Sequence, residues 1–129
     1  MKIIDGTNAI LGRLASYVAK EALKGEEIII LNCEQIIITG NKKNIEKEFL
    51  EKRGRVGSGQ RGPKISRLSI KIVKRAMRGM LPHKDKRGKD ALRRIKCFVG
   101  VPNEFEKSKK ITAGKEKPIK FIRVKDISK

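Results

Sequence analysis

Short apolar runs and stretches with apolar residues at helical spacing alternate along the first hundred residues. "KIID", Lys2 to Asp5, is β-branched and stops at the turn cluster "GTN", which predicts a first strand. Leu11, Leu14, Ala15, Val18, Ala19, Ala22 and Leu23 then recur at i, i+3 and i+4, the pattern of an amphipathic helix. Gly25 stands where a C′ glycine would end it, and Arg13, Lys20, Glu21 and Lys24 fall on its polar face. "EIIILN", Glu27 to Asn32, is continuously apolar, as in a parallel strand covered on both faces, and "QIIITG", Gln35 to Gly40, repeats the pattern. Strand, helix and strand in this order form a βαβ unit, so the class is α/β with a right-handed crossover.

Asn41 is placed to cap a helix over "KKNIEKEFLEKR", where Ile45, Phe49 and Leu50 form a narrow apolar stripe. Neither period can be read through the glycine-rich stretch "GRVGSGQRGPK", Gly54 to Lys64. The pattern becomes helical again over Ser66 to Arg78. Arg67, Lys71, Lys74, Arg75 and Arg78 share an arc of about 100°, and Ile70, Val73 and Met77 group on a neighbouring face. Ile72 and Ala76 lie outside that apolar group, which predicts burial on more than one side.

The stretch after this helix surrounds a small apolar knot with cations. Gly79 is expected to stop the helix as a C′ residue, Met80 and Leu81 to pack back on its end, and Pro82 to prevent continuation. "HKDKRG" would thereby be held as a fixed loop before a short helix, Lys89 to Ile95, and the apolar strand "CFVGV". In the lysine-rich remainder, "KPIKFIRVKDI" reads equally as an edge strand or as an extension ordered by a partner. A length of 129 residues suits one domain, residues 1–129, with a core over about 2–102 and a basic extension over 103–129.

Charge sharpens this division. Residues 1–40 have a net charge of −1 by count, residues 41–94 one of +14, and residues 95–129 one of +6, giving +19 for the chain. Residues 52–94 hold 16 basic and 2 acidic side chains, whereas an idle surface mixes its signs. Unrelieved like charge opposes compaction, so a polyanion is the expected partner. The candidate contacts are Lys52 and Arg53 at the end of the second helix, Arg55, Arg61 and Lys64 in the glycine-rich stretch, and Arg67, Lys71, Lys74, Arg75 and Arg78 on the cationic stripe. His83, Lys84, Lys86, Arg87 and Lys89 continue the set at the junction. Aromatic residues make up 4% of the chain and tryptophan is absent, so contacts should fall on phosphate and sugar rather than on extended stacking platforms.

Other chemistry finds little support. "GSGQRG", Gly57 to Gly62, has the glycine spacing of a dinucleotide or P-loop motif, but Pro63 stands at the lysine position and no strand leads directly into it. The single histidine has no nucleophile or second histidine nearby in sequence. Cys33 and Cys97 lie apart in apolar runs and read as buried small hydrophobes in a reducing compartment. The carboxylates are scattered. No catalytic residue, metal or cofactor is therefore expected, and no small-molecule substrate. With no run of about 18 apolar residues and no secretory leader pattern, a soluble intracellular chain without a membrane partner is expected.

"DGTNAILGRLASYVAK", "IIILNCEQIIITGNK" and "RGMLPHKDKRGKDALRRIKCFVG", in this order, resemble the universal family of large ribosomal subunit protein thirteen, over roughly Lys2 to Pro102. The "LPHKDKRG" segment and the lysine-rich tail are similar to the archaeal and eukaryotic branch, and the short length favours archaeal. The resemblance implies a three-layer α/β/α core around a mainly parallel four-stranded sheet, with basic loop and C-terminal extensions. It also implies a cytoplasmic, ribosomal protein that binds large-subunit ribosomal RNA, takes part in subunit assembly, has neighbouring ribosomal proteins as partners and catalyses nothing. By motif match the RNA contacts would include Arg13, the Gly54 to Arg67 stretch, Arg75, Arg78, His83, Lys84, Lys86 and Arg87. A general DNA-binding or chromatin-type protein is the alternative that composition alone permits.

Overall fold

β-Branched side chains fill the middle of the molecule, and the alternation of a parallel strand divides them between two faces. The computed structural model describes residues 1–55, 58–60, 65–112 and 120–128. Among these, the elements in chain order are β1 (Lys2–Asp5), α1 (Leu11–Leu23), β2 (Ile28–Leu31), β3 (Ile37–Thr39), α2 (Lys42–Gly54), α3 (Ser69–Gly79), α4 (Lys86–Arg93), β4 (Ile95–Cys97), β5 (Ile111–Thr112), β6 (Phe121–Arg123) and α5 (Val124–Ile127), with short 3-10 turns at Cys33–Gln35, Ser58–Gln60 and Asn103–Phe105.

The main sheet has the order β4-β2-β1-β5 with every pairing parallel. Ile4, Ile28, Ile30, Ile95 and Cys97 face the principal core, together with Leu14, Ala15, Val18 and Ala22 of α1 and Ile72, Val73 and Met77 of α3. Ile3, Ile29 and Leu31 point the other way and are covered by Phe98, Val101 and Phe105. The rings of Phe98 and Phe105 lie 5.8 Å apart. The architecture is the expected three-layer α/β type around a mainly parallel four-stranded sheet, but its second outer layer is thin. Burying each isoleucine of β2 is worth about 1.5–3 kcal/mol, which makes this strand the centre of stability.

The "QIIITG" strand departs from the expectation. Within Gln35 to Gly40 only Ile37–Thr39 form a strand, β3, which leaves the main sheet and pairs antiparallel with β6, Ile38 opposite Ile122. The 3-10 turn at Cys33–Gln35, entered through Asn32 at φ +55, turns the chain out of the sheet after β2. The fourth strand position is filled by β5, from the segment expected to be an extension.

The core also does not end near residue 102. Ile122, Val124 and Ile127 are buried in the principal cluster, and the Val124 amide donates to the Ile36 carbonyl. Of the two readings left open for the tail, strand pairing holds for Phe121–Arg123.

Helix α1 ends as its sequence predicts, with Gly25 at φ +99 beyond the Lys24 cap. Its polar face contains one surprise. Glu21 is buried, with its carboxylate held by Lys2 Nζ at 2.5 Å and Lys24 Nζ at 3.0 Å. The bond from Lys2, reinforced by that from Lys24, holds the Glu21 carboxyl below its ordinary range. Asn41 caps α2 by accepting from the Lys43 amide at 3.1 Å. Ile45 and Phe49 pack on the core, but Leu50 is 63% exposed and belongs to no stripe.

Candidate nucleic-acid interface

Helix α3 brings four of the predicted cations, Lys71, Lys74, Arg75 and Arg78, to one side. It begins at Ser69, so Arg67 lies just outside it, while Lys71, Arg75 and Arg78 are exposed and Lys74 is half-buried. Ser69, Ile72, Val73 and Met77 are buried and Ala76 partly so. At 100° per residue these occupy one arc of about 140° opposite the cations. The helix therefore has a single wide buried face, which Ile72 and Ala76 extend, rather than two.

At its C-terminus the knot is only half packed. Gly79 is the last helical residue rather than a left-handed C′ position, and Met80 is the cap in right-handed geometry. Leu81 is 4% exposed and joins the core, whereas Met80 is 45% exposed and lies against α1, with Ser16 Oγ 3.6 Å from its sulfur. Pro82 is exposed. The His83 amide donates to the Leu81 carbonyl at 2.7 Å and the Asp85 amide to that of Pro82 at 3.0 Å, which makes a tight turn.

The fixed loop expected over "HKDKRG" is shorter, because α4 begins at Lys86 and ends at Arg93. Gly88 is what seats the helix on the turn. A β-carbon there would overlap the carbonyl group of Pro82. Lys86, Arg87 and Lys89 are exposed in and beside the first turn of α4, which holds no acid, and Asp85 makes no side-chain cap bond. Cations here stack on the positive end of the helix dipole, an arrangement that a bound anion would relieve. Lys84 is exposed beside them and His83 is half-buried.

The end of α2 contributes unequally. Lys52 and Arg55 are exposed, but Arg53 turns inward and donates from Nη2 to the Ile127 carbonyl at 2.6 Å. Desolvation, with Arg67 nearby, lowers the pKa of its guanidinium. Arg53 thus fastens α5, a structural task that its charge alone did not suggest. Arg61 and Lys64 lie outside the described residues, as do Gly57, Gly62 and Pro63 of the glycine motif. Within that stretch, Ser58–Gln60 forms a turn in which Gly59 has φ +61.

Arg13 is exposed in the first turn of α1, next to the helix end that meets α3 through Ser16 and Met80. Leu11 and Gly79 line one groove with Phe49, Ile72, Arg75 and Lys71, so the starts and ends of α1, α2 and α3 converge there. The volume of this groove is about 270 Å³.

Three of the four ion pairs among the described residues lie in the near-neutral first forty residues. Among the described residues the pairs are Met1 amino group–Glu26, Lys2–Glu21, Lys24–Glu21 and Arg93–Asp90. None of the described candidate contacts takes part in one. Also among the described residues, no group of three or more His, Cys, Asp or Glu side chains could hold a metal, and no helix is long and apolar enough to cross a membrane.

Sequence reasoning missed Gly88 and the inward turn of Arg53. "KRGK" alone carries no sign of a close approach to Pro82, and nothing near Arg53 in sequence points to Ile127. The cysteines meet expectation, since both are buried and free. The hydrogen bond with the neighbouring Cys97 thiol, together with burial, pushes the Cys33 thiol far up in pKa.

The family model described as ribosomal protein L13 matches residues 1–104. The chain is similar to three archaeal proteins named large ribosomal subunit protein uL13. That of Methanocaldococcus jannaschii is 44% identical over all of this chain and 96% of its own. That of Methanopyrus kandleri is 47% identical over 82% of this chain and 66% of its own. That of Methanosarcina barkeri is 48% identical over 87% of this chain and 80% of its own.

Proposed function

The chain belongs to the ribosomal protein L13 family, and from this premise we propose that it is a structural constituent of the large ribosomal subunit that binds ribosomal RNA and supports subunit assembly. The observation that carries the reading is the cationic surface of α3, the His83–Asp85 turn and the start of α4, whose described lysines and arginines have no acidic partner among the described residues. Lys71, Arg75, Arg78, Lys84, Lys86, Arg87 and Lys89 supply phosphate contacts, with Arg13 and Lys52 at the margin. Their role is positioning on the backbone, and the protein reads RNA through shape. Nothing in this surface calls for catalysis. Neighbouring large-subunit proteins are further partners, with exposed Val99 and Ile111 as apolar contact points.

A salt titration tests this. Binding to transcribed fragments of large-subunit ribosomal RNA is compared with binding to duplex DNA of matched length. One RNA fragment should keep saturable binding at a salt concentration where DNA has lost about 10³-fold in affinity. Equal weakening of RNA and DNA with the same slope would reduce the surface to a general polyanion binder and favour the DNA-binding alternative.

A further inference from the structure

We propose that the groove between α1, α2 and α3 receives one unpaired nucleobase of the bound RNA, a contact that rests on the RNA-binding reading above. Its floor and walls are apolar, formed by Leu11, Ile65, Ile72 and Ala76 with the ring of Phe49. A volume of about 270 Å³ falls below the usual range for drug-sized ligands, about 300–1,000 Å³, and is sufficient for a single heterocycle.

Charge at the rim selects the occupant. Among the described residues, Lys52, Lys71 and Arg75 line the same groove, no acidic residue lines it, and none of the three forms an ion pair. An apolar side chain from a protein partner would be seated among three cations with nothing to neutralise them. A nucleotide supplies both parts at once, a planar base for the apolar walls and flanking phosphates for the rim. Lys52 Nζ already lies 5.8 Å from the centroid of the Phe49 ring, so an aromatic face and a phosphate-binding cation are adjacent. Ser66 Oγ accepts from the Leu68 amide at 3.2 Å and keeps its own proton to donate to a base edge.

This gives the protein a selective element that phosphate contacts lack. Backbone cations bind any duplex of suitable shape, whereas a base can enter the groove only from a bulge, loop or strand end. The low aromatic content still rules against an extended stacking surface, and the groove needs only Phe49.

The test compares the full chain with Ala76→Leu, which fills the floor, and Phe49→Leu, which keeps an apolar wall but removes the aromatic face. Large-subunit RNA fragments are probed for reactivity at the base-pairing edges of unpaired bases and, separately, for backbone cleavage by hydroxyl radical. The expected result is one unpaired base protected by the unaltered protein and exposed again with each variant. Affinity should fall about 10-fold or more at an unchanged salt slope. Thermal melting checks that each variant is folded, and the inference requires the result in at least one folded variant. Identical base protection with a folded variant, or a backbone footprint without any protected unpaired base, would overturn the groove assignment and leave RNA binding intact. The absence of a backbone footprint with the unaltered protein would overturn both.

Discussion

The backbone of Gly88 lies so close to the carbonyl group of Pro82 that a β-carbon has no room between them. No rotamer change relieves such an overlap, because both partners are backbone, and either α4 or the preceding turn must move. Gly88→Ala is expected to cost several kcal/mol, about 3 or more, even though alanine is the better helix former. Gly12 lies in α1, where a β-carbon would meet no atom within 4 Å, and Gly12→Ala should be neutral or stabilising by up to about 1 kcal/mol. Urea unfolding of the two variants side by side distinguishes steric seating from helix propensity.

The two halves of the apolar knot should separate in the same way. Leu81→Ala removes a core side chain and is expected to cost about 2–5 kcal/mol, whereas Met80→Ala, from a half-exposed position, should cost less than about 1.5 kcal/mol. A knot with both residues packed against the helix end, as the sequence alone predicts, would instead cost about 2 kcal/mol at Met80. Equal losses in thermal or urea unfolding would restore that picture.

Arginines on the cationic side should behave unlike Arg53. Alanine at Arg75 or Arg78 is expected to lower the salt slope of RNA binding by about 1 for each phosphate left without its cation, with stability nearly unchanged. Arg53→Ala should instead reduce stability by about 1 kcal/mol through loss of the bond to Ile127 and leave the slope almost unaltered. A slope change for Arg53 of the same size as for Arg75 would show that it leaves α5 to bind RNA.

Acid should weaken the end of β1. Burial pushes the Asp5 carboxyl up, but hydrogen bonds from Asn32 Nδ2 and from the Thr7 amide and hydroxyl outweigh it, and the net pKa lies below the ordinary range. A carboxyl lowered by folding contributes stability that is fully present above its unfolded value, about 3.9, and is lost as pH falls through the folded value. Asp5→Asn should therefore be less stable than the parent at pH 6 and approach it near pH 3. Parallel melting curves at the two pH values, with a constant gap between the proteins, would refute this.

How much of this was visible in the sequence depends on how local the cause is. β1, α1 and β2 were legible because their apolar residues repeat with a clean period and each stop has its own residue, Gly6 and Thr7 in one case and Gly25 in the other. For "QIIITG" the extended conformation was legible and the partner was not, since a continuous apolar run says nothing about which sheet it joins. The cationic arc of α3 was legible from spacing alone, yet Arg53 differs from its neighbours only through Ile127, more than seventy residues away in the chain. Ile122, Val124 and Ile127 escaped notice because lysines and arginines separate them, and only pairing with β3 shows which side faces inward.

The burial of Val124 and Ile127 has a bearing on the order in which the molecule is made. Synthesis proceeds from the N-terminus, and α3, the Cys33–Gln35 turn and Ile36 would all be complete before the residues that cover them had been joined to the chain. Until then their apolar surfaces are exposed beside a strongly cationic segment. The nascent chain is thus adhesive and polycationic until Ile122, Val124 and Ile127 have been joined to it, and a chain cut before Phe121 would retain the cations of α3 and α4 but never close this part of its core.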